Sequence, residues 1–311
     1  MTRRSAQSLL VFDDPDMDLH DPGWGHPERP DRLRAARAAM AGYPGLEWVR
    51  PRFAERAELV RVHSAAYVDA LLSLVGETRQ LDADTFVGPD SVRAALLAAG
   101  AVQDAVDRVI TGPVTQAVCL VRPPGHHALE DRAMGFCLLN NVVVGASRAL
   151  RRGLSRLLIV DWDAHHGNGT QALVQDHPGV MFASLHEGFG AWPHTGDADD
   201  RGPHGTIVNV PLRVGASHDE LLAAFDEHVA PAAEAFAPEL VLVSAGFDAH
   251  AEDGVGTLGA TDQTYGELTK RVRGLAERHA GGRLVVVLEG GYFLPSLGRS
   301  LRACVDVLLE V

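Results

Sequence analysis

The sequence predicts an α/β protein, an open and mostly parallel sheet flanked by helices, formed as one domain over residues 1–311. Three observations carry this. Apolar runs rich in β-branched residues recur along the whole chain. Most are continuous rather than alternating, as strands covered on both faces require. Helical patterns fall between them, with no long linker, internal repeat or low-complexity tract. Length alone would allow about two domains, but α/β sheets of this size often form one.

In order, the strand candidates are 8–12, 117–121, 157–160, 180–184, 207–210, 240–244 and 284–288. Segment 157–160 reads Leu-Leu-Ile-Val and 284–288 reads Leu-Val-Val-Val-Leu, without a polar residue between. Helical patterns occupy 30–41, 91–110, 140–152, 219–235 and 261–280.

Composition narrows the function. The chain carries 41 acidic against 28 basic residues, a formal charge of −13, with 15 histidines outside that sum. An acid excess argues against nucleic acid, whose binders need a basic footprint. Lys270 is the one lysine, a lopsidedness better explained by base composition than by function. Cys119, Cys137 and Cys304 are odd in number, widely spaced and without a CxxC pair, which points to a reducing compartment. Arg3-Arg4 precedes an apolar run that stops at Asp13-Asp14, too short for a signal peptide. No stretch reaches the roughly 18 apolar residues of a membrane span. The expectation is a cytoplasmic protein with no nucleic-acid or membrane partner, and with homo-oligomerisation left open.

Ligands of open α/β sheets bind beyond the carboxyl ends of the strands. The residues following five of these runs are the polar ones. They are Arg122-Pro123-Pro124-Gly125-His126-His127, Asp161-Trp162-Asp163-Ala164-His165-His166, Leu185-His186, Ala245-Gly246-Phe247-Asp248 and Glu289-Gly290-Gly291-Tyr292. Asp161, Asp163 and His165 are spaced by two, so an extended strand end projects all three to one side. Two carboxylates and an imidazole there suit a divalent cation, and Asp248 supplies a further oxygen. Catalytic zinc uses three protein ligands and keeps a position open, which Asp163, His165 and Asp248 satisfy. Asp161 is then left to orient an imidazole. A solvated strand-end charge cluster is the bland alternative for any DxDxH, weakened here by the Gly167/Gly169 turn and by the other strand ends. His126-His127 stand apart from the scattered histidines because Pro123-Pro124-Gly125 stiffens their approach. An imidazole beside an activated water can act as general base and then as acid.

RPPGHHA, GFCLLNN, DWDAHHGNGT, SLH, AGFDAH and EGGY occur in this order, preceded by GHPERPDRL and RVHSAAYV. Together they resemble the zinc-dependent histone deacetylase superfamily, which includes acetylpolyamine amidohydrolases and acetoin-utilisation proteins, over nearly the whole chain. The resemblance implies an arginase/deacetylase fold with one zinc on Asp163, His165 and Asp248. It implies His127 as general base and acid, with Asn168 buttressing it. His126, oriented by Asp161, supports the transition state electrostatically, and Tyr292 donates to the amide oxygen. Phe136 and Trp192, with Gly135 and Gly290, line the acyl-lysine tunnel. A potassium ion is implied against Asp161, Asp163, His165, Ser184 and Leu185. Core packing is the competing account of Phe136, Trp192 and Tyr292. The Gly290-Gly291 pair, where backbone approaches closely, favours the site for Tyr292.

Several signals are rejected. Gly254–Gly259 spells GxGxxG, but seven residues separate Gly246 from Gly254, so it does not directly follow a strand. GxxxxGK[ST], GxSxG and HExxH are absent from the sequence. A dimanganese ureohydrolase stays as a rival because its fold and DAH core look similar, but its second metal needs a carboxylate about two residues past His165, where Gly167 stands, so one metal is the better reading.

The substrate is then an acetylated amine, as acetyl-lysine in a peptide or protein or as a small acetylated amine. Polyamine-selective relatives carry a glutamate gatekeeper where this chain has Val255, next to Gly254 in place of the usual proline. Glu252 and Asp253 could supply negative charge nearby, and a substrate-holding carboxylate falls near Asp82 or Asp84. A non-hydrolytic acyl-amine binding protein is the other class, opposed by the intact ligand, histidine and tyrosine set.

Overall fold

The computed structural model of the chain describes residues 8–188 and 190–310; Arg3-Arg4 lies outside them. The strands are β1 (Leu9–Phe12), β2 (Leu46–Val49), β3 (Arg79–Gln80), β4 (Phe86–Val87), β5 (Gln116–Cys119), β6 (Leu157–Asp161), β7 (Val180–Glu187), β8 (Ile207–Leu212), β9 (Leu240–Ala245) and β10 (Leu284–Leu288). Eight form one sheet in the order β2-β1-β5-β10-β9-β6-β7-β8, and its recorded pairings are parallel. β3 and β4 make a separate antiparallel pair. All seven anticipated strands are present, so the open parallel α/β architecture holds.

Every residue of β6, β9 and β10 is buried, which is why these strands run apolar without alternation until Asp161 and Ser244 near the carboxyl ends of β6 and β9. Each such Val or Leu contributes about 1.5–3 kcal/mol relative to exposure. β2 was not anticipated. It forms the sheet edge, and its Glu47 and Trp48 are exposed, so it lacks the apolar signal.

The helices are α1 (Asp31–Met40), α2 (Arg56–Leu59), α3 (Ala65–Leu72), α4 (Ser91–Thr111), α5 (Asn141–Arg151), α6 (Asn168–Val174), α7 (His218–Ala224), α8 (Ala230–Phe236), α9 (Asp262–His279) and α10 (Leu294–Leu309). The Asn140 side chain accepts from the Val143 N–H and fixes the start of α5. The pattern over 219–235 is interrupted by a π-helical turn at Phe225–Val229 before Pro231, which has no N–H to continue the α ladder. α10 was not anticipated; it packs on α1 and α9. The GxGxxG segment lies in the connection between β9 and α9, not in a strand-to-helix phosphate turn. Among the described residues, no helix is long and apolar enough to cross a membrane.

The five strands with polar ends are contiguous in the sheet, as β5-β10-β9-β6-β7. Residues far apart in sequence therefore meet along one edge.

Candidate active site

β6 ends at Asp161, and the chain leaves it with each carboxylate bonding two residues ahead. Asp161 Oδ1 accepts the Asp163 N–H (3.1 Å), and Asp163 Oδ1 accepts the His165 N–H (3.0 Å). This stagger holds Asp161, Asp163 and His165 along the site, while Trp162 and Ala164 are buried in the core. From β9, Asp248 Oδ1 accepts the Ala164 N–H (2.9 Å). Its Oδ2 lies 3.0 Å from His165 Nδ1, which is 3.2 Å from Asp163 Oδ1. Donor atoms of Asp163, His165 and Asp248 thus fall within 4.8 Å of one another.

Two glycines make room for them. A Cβ on Gly246 would lie 2.0 Å from Asp163 Oδ2, and one on Gly290 would lie 2.6 Å from both Asp163 Oδ2 and Asp248 Oδ2. The Gly290 N–H donates to Asp163 Oδ2 (2.9 Å). Burial works against charge on His165, but its hydrogen bonds to Asp163 and Asp248 prevail and raise its pKa to about 11. Burial raises Asp248 to about 7. Two carboxylates and an imidazole with one side held by backbone N–H groups fit a divalent cation.

The tandem histidines follow β5. The Gly125 and His126 N–H groups both donate to Glu289 Oε2, at 2.7 and 3.2 Å, so a buried carboxylate from β10 sets the turn. The two rings are 3.8 Å apart, with different partners. His126 Nδ1 meets Asp161 Oδ2 at 3.0 Å, and Nε2 lies 3.8 Å from Asp163 Oδ1. His127 Nδ1 donates to Asn168 Oδ1 (2.8 Å), and Asn168 Nδ2 points to Met134 Sδ. Burial depresses both rings, but Asp163 and Asp161 raise His126 to about 10. His127 sits well below the usual histidine range, through burial and then repulsion by His126 and His165. His127 Nδ1 is thus engaged as a donor to Asn168, which leaves its Nε2 to accept a proton, while the Asp161 carboxylate favours positive charge on His126.

Trp192 packs edge-on against His127 (4.5 Å) and His165 (5.8 Å), and Phe136 against Tyr292 (5.9 Å). Gly135 and Phe136 both have positive φ, +55° and +68°. A Cβ on Gly135 would lie 2.4 Å from the Trp192 ring and 2.6 Å from His127, so this position needs glycine. The Phe136 N–H donates to Thr85 Oγ1, in the turn that Asp82 organises by accepting from the Asp84 and Thr85 N–H groups. Val255 is exposed, and its neighbour Gly256 lies against Asp248. Ser184 is in register with Asp161 on the next strand and bonds His186, and Leu185 is buried.

A carboxylate at position 167 would collide with the site, since a Cβ there would lie 2.2 Å from Asp161 Oδ2. Among the described residues the other ligand-like cluster is His126, Cys137 and Glu289. Burial pushes the Cys137 thiol well above its ordinary range, which makes it a poor ligand.

Sequence reasoning missed the charged layer beneath Tyr292. Glu28, Arg32 and Arg122 are fully buried. Glu28 accepts from Arg32 (3.0 Å) and from Arg122 Nη2 (2.7 Å). Arg32 also donates to Gly291 O (2.6 Å) and lies 4.9 Å over the Tyr292 ring. Glu28 and Arg32 were visible inside GHPERPDRL, but nothing local announces their burial. His63, one of the scattered histidines, has a structural role: Nδ1 meets Leu129 O and Nε2 accepts the Asn140 N–H.

A profile of the histone deacetylase domain matches residues 26–308. Histone deacetylase 15 of Arabidopsis thaliana is 43% identical over 91% of this chain and 53% of its own length. A histone deacetylase-like amidohydrolase of Pseudomonas aeruginosa is 41% identical over 86% of this chain and 73% of its own. A polyamine deacetylase of Homo sapiens is 41% identical over 96% of this chain and 46% of its own. This chain thus spans about half the length of the plant and human relatives. The crystal structure of the HDA15 HD domain superposes with a TM-score of 0.91 at 39% identity, covering 98% of this chain and 90% of that one. The chain belongs to the histone deacetylase superfamily.

Proposed function

We propose that this chain is a single-domain, zinc-dependent amidohydrolase that removes acetyl groups from acetylated amines, acetyl-lysine among them. The observation that carries this is geometric: donor atoms of Asp163, His165 and Asp248 within 4.8 Å of one another, beside tandem histidines of which His126 is held by Asp161 and His127 by Asn168. One zinc held by those three residues would polarise the amide carbonyl and acidify a water. His127 Nε2 accepts the water's proton as the water oxygen attacks the carbonyl carbon, while Asn168 steadies the protonated ring. Tyr292 donates to the developing oxyanion, and the His126 cation, balanced by Asp161, offsets negative charge. His127 returns its proton to the nitrogen as the C–N bond breaks, giving acetate and a free amine. Gly135, Phe136 and Trp192 enclose the acyl arm, with Gly290 at the donors and Val255 at the rim. The reading extends to potassium against Asp161, Asp163, His165, Ser184 and Leu185, supported by the resemblance and by the register of β6 on β7.

A small acetylated amine such as an acetylpolyamine is the second reading, favoured by the human relative's name. Val255 gives no charge to bind a polyamine, and the Glu252 carboxylate is engaged by Arg299 (2.6 Å). The deciding experiment compares acetyl-lysine peptides, acetylated polyamines and longer acyl-lysines on purified protein, with metal content measured on the same sample. Acetate release with one zinc per chain is expected. Zinc-replete protein that cleaves none of these amides would overturn the enzyme reading and leave the acyl-amine binding protein.

A further inference from the structure

Asp253 lies in the turn after Asp248, two residues before Val255. Its Oδ2 accepts the N–H groups of Tyr292 (2.7 Å) and Phe293 (2.9 Å). Phe293 is the N-cap of α10, so the carboxylate also meets the positive end of that helix. Oδ1 is buried without a hydrogen-bond partner among the described residues. The carboxylate therefore turns inward to the backbone, rather than outward as a charge for substrate.

The local sequence makes such an anchor necessary. Tyr292 follows Gly290 and Gly291, the latter at φ +114°, and consecutive glycines leave the backbone weakly restrained. Arg32 holds this segment from one side through Gly291 O and the Tyr292 ring. Asp253 holds it from the other, through the tyrosine's own N–H.

We propose that Asp253 is a positioning residue that sets the Tyr292 phenol by clamping the Tyr292–Phe293 backbone, and so links the Val255 rim loop to the oxyanion donor. This rests on the reading of Tyr292 as that donor. A misplacement of about 1 Å can cost about 10²-fold in rate, so losing the clamp acts on turnover rather than on binding.

The test measures kcat and KM on an acetyl-lysine peptide for zinc-loaded Asp253→Ala, Asp253→Asn, Tyr292→Phe and the Asp253→Ala/Tyr292→Phe double variant. Asp253→Ala should lower kcat about 10–100-fold and leave KM within about twofold. Asp253→Asn, whose amide oxygen still accepts, should recover most of the loss. In the Tyr292→Phe background, Asp253→Ala should change kcat by less than about twofold, because its effect passes through the phenol. An equal loss in both backgrounds, or an unchanged kcat in the single variant, overturns the proposal. Hydrogen exchange on metal-free wild-type protein provides a readout independent of activity and of the variant's folding. The Tyr292 and Phe293 amides should be protected, and exchange at open-loop rates overturns the clamp. If Tyr292→Phe keeps full kcat, the donor reading fails instead, and amide exchange still reports whether Asp253 holds the backbone.

Discussion

His165 and His166 are adjacent and equally apt as metal ligands by residue type, yet they sit in opposite environments. His165 faces Asp163 and Asp248, whose hydrogen bonds overcome burial and raise it to about 11. His166 turns to Thr195 Oγ1 (2.8 Å) and Gln171 Oε1 (2.9 Å), with the His186 ring 4.7 Å away. Burial lowers it to about 4, and His186 to about 3. One face of the β6 turn is prepared for a cation, and the other is a neutral polar contact binding the Trp192 loop to the sheet through Thr195 and Gly196. Charge and role follow from partners one residue apart, not from the histidine itself.

The largest test of that contrast is His165→Ala against His166→Ala. The first should abolish zinc retention and lower kcat/KM by more than the about 10–100-fold typical of ligand-supporting residues. The second should keep stoichiometric zinc by metal analysis, and equal zinc loss in both would break the comparison. Asn168→Ala comes next, with kcat reduced about 10–100-fold at unchanged metal content, because His127 loses the acceptor that fixes its tautomer. An Asn168→Ala enzyme with wild-type kcat would remove that role.

Two pH dependences follow, with different signs of charge. Zinc needs deprotonated ligands, and Asp248 at about 7 and His165 at about 11 must both release protons to it. Zinc affinity in a chelator competition should therefore weaken as pH falls through 7, with proton release on binding; a flat profile from pH 8 to 6 would contradict it. The smallest effect is on stability. The folded state keeps His166 and His186 neutral, whereas unfolded histidines titrate near about 6.5. Their contribution is full above that pH and is lost as pH falls toward about 4 and then about 3, by up to about 1.4 kcal/mol per pH step for each. Ring-resolved NMR titration of His166 and His186 in the metal-free protein reads this, and either ring titrating near about 6.5 would count against it.

The sheet was legible because strands buried on both faces write their burial as unbroken apolar runs, as in β6, β9 and β10. The clustering of Asp161, Asp163 and His165 was legible because they are a local pattern, two residues apart, and that of Asp248 because it follows another buried apolar run. Glu28, Arg32 and Arg122 were not, since such residues ordinarily lie at the surface and their partners are up to 259 residues away. α10 escaped because Gly298 and four polar residues dilute its apolar stripe between Ser296 and Arg302. Asp253 read as a surface charge near the substrate, and its inward direction depends on a turn that no local motif encodes.

The position of β10 bears on how the protein is made. It is the last strand among the described residues, yet it lies between β5 and β9 and pairs with both. Until it leaves the ribosome, β2-β1-β5 and β9-β6-β7-β8 are two half-sheets, each with a bare central edge. Such unpaired edges invite association with other chains. Nascent chains ending before Leu284 should therefore depend on chaperones and should carry Asp163, His165 and Asp248 without a finished pocket. Glu289, Gly290 and Tyr292 arrive directly behind the strand that closes the sheet, so closure of the sheet and assembly of the site become one event.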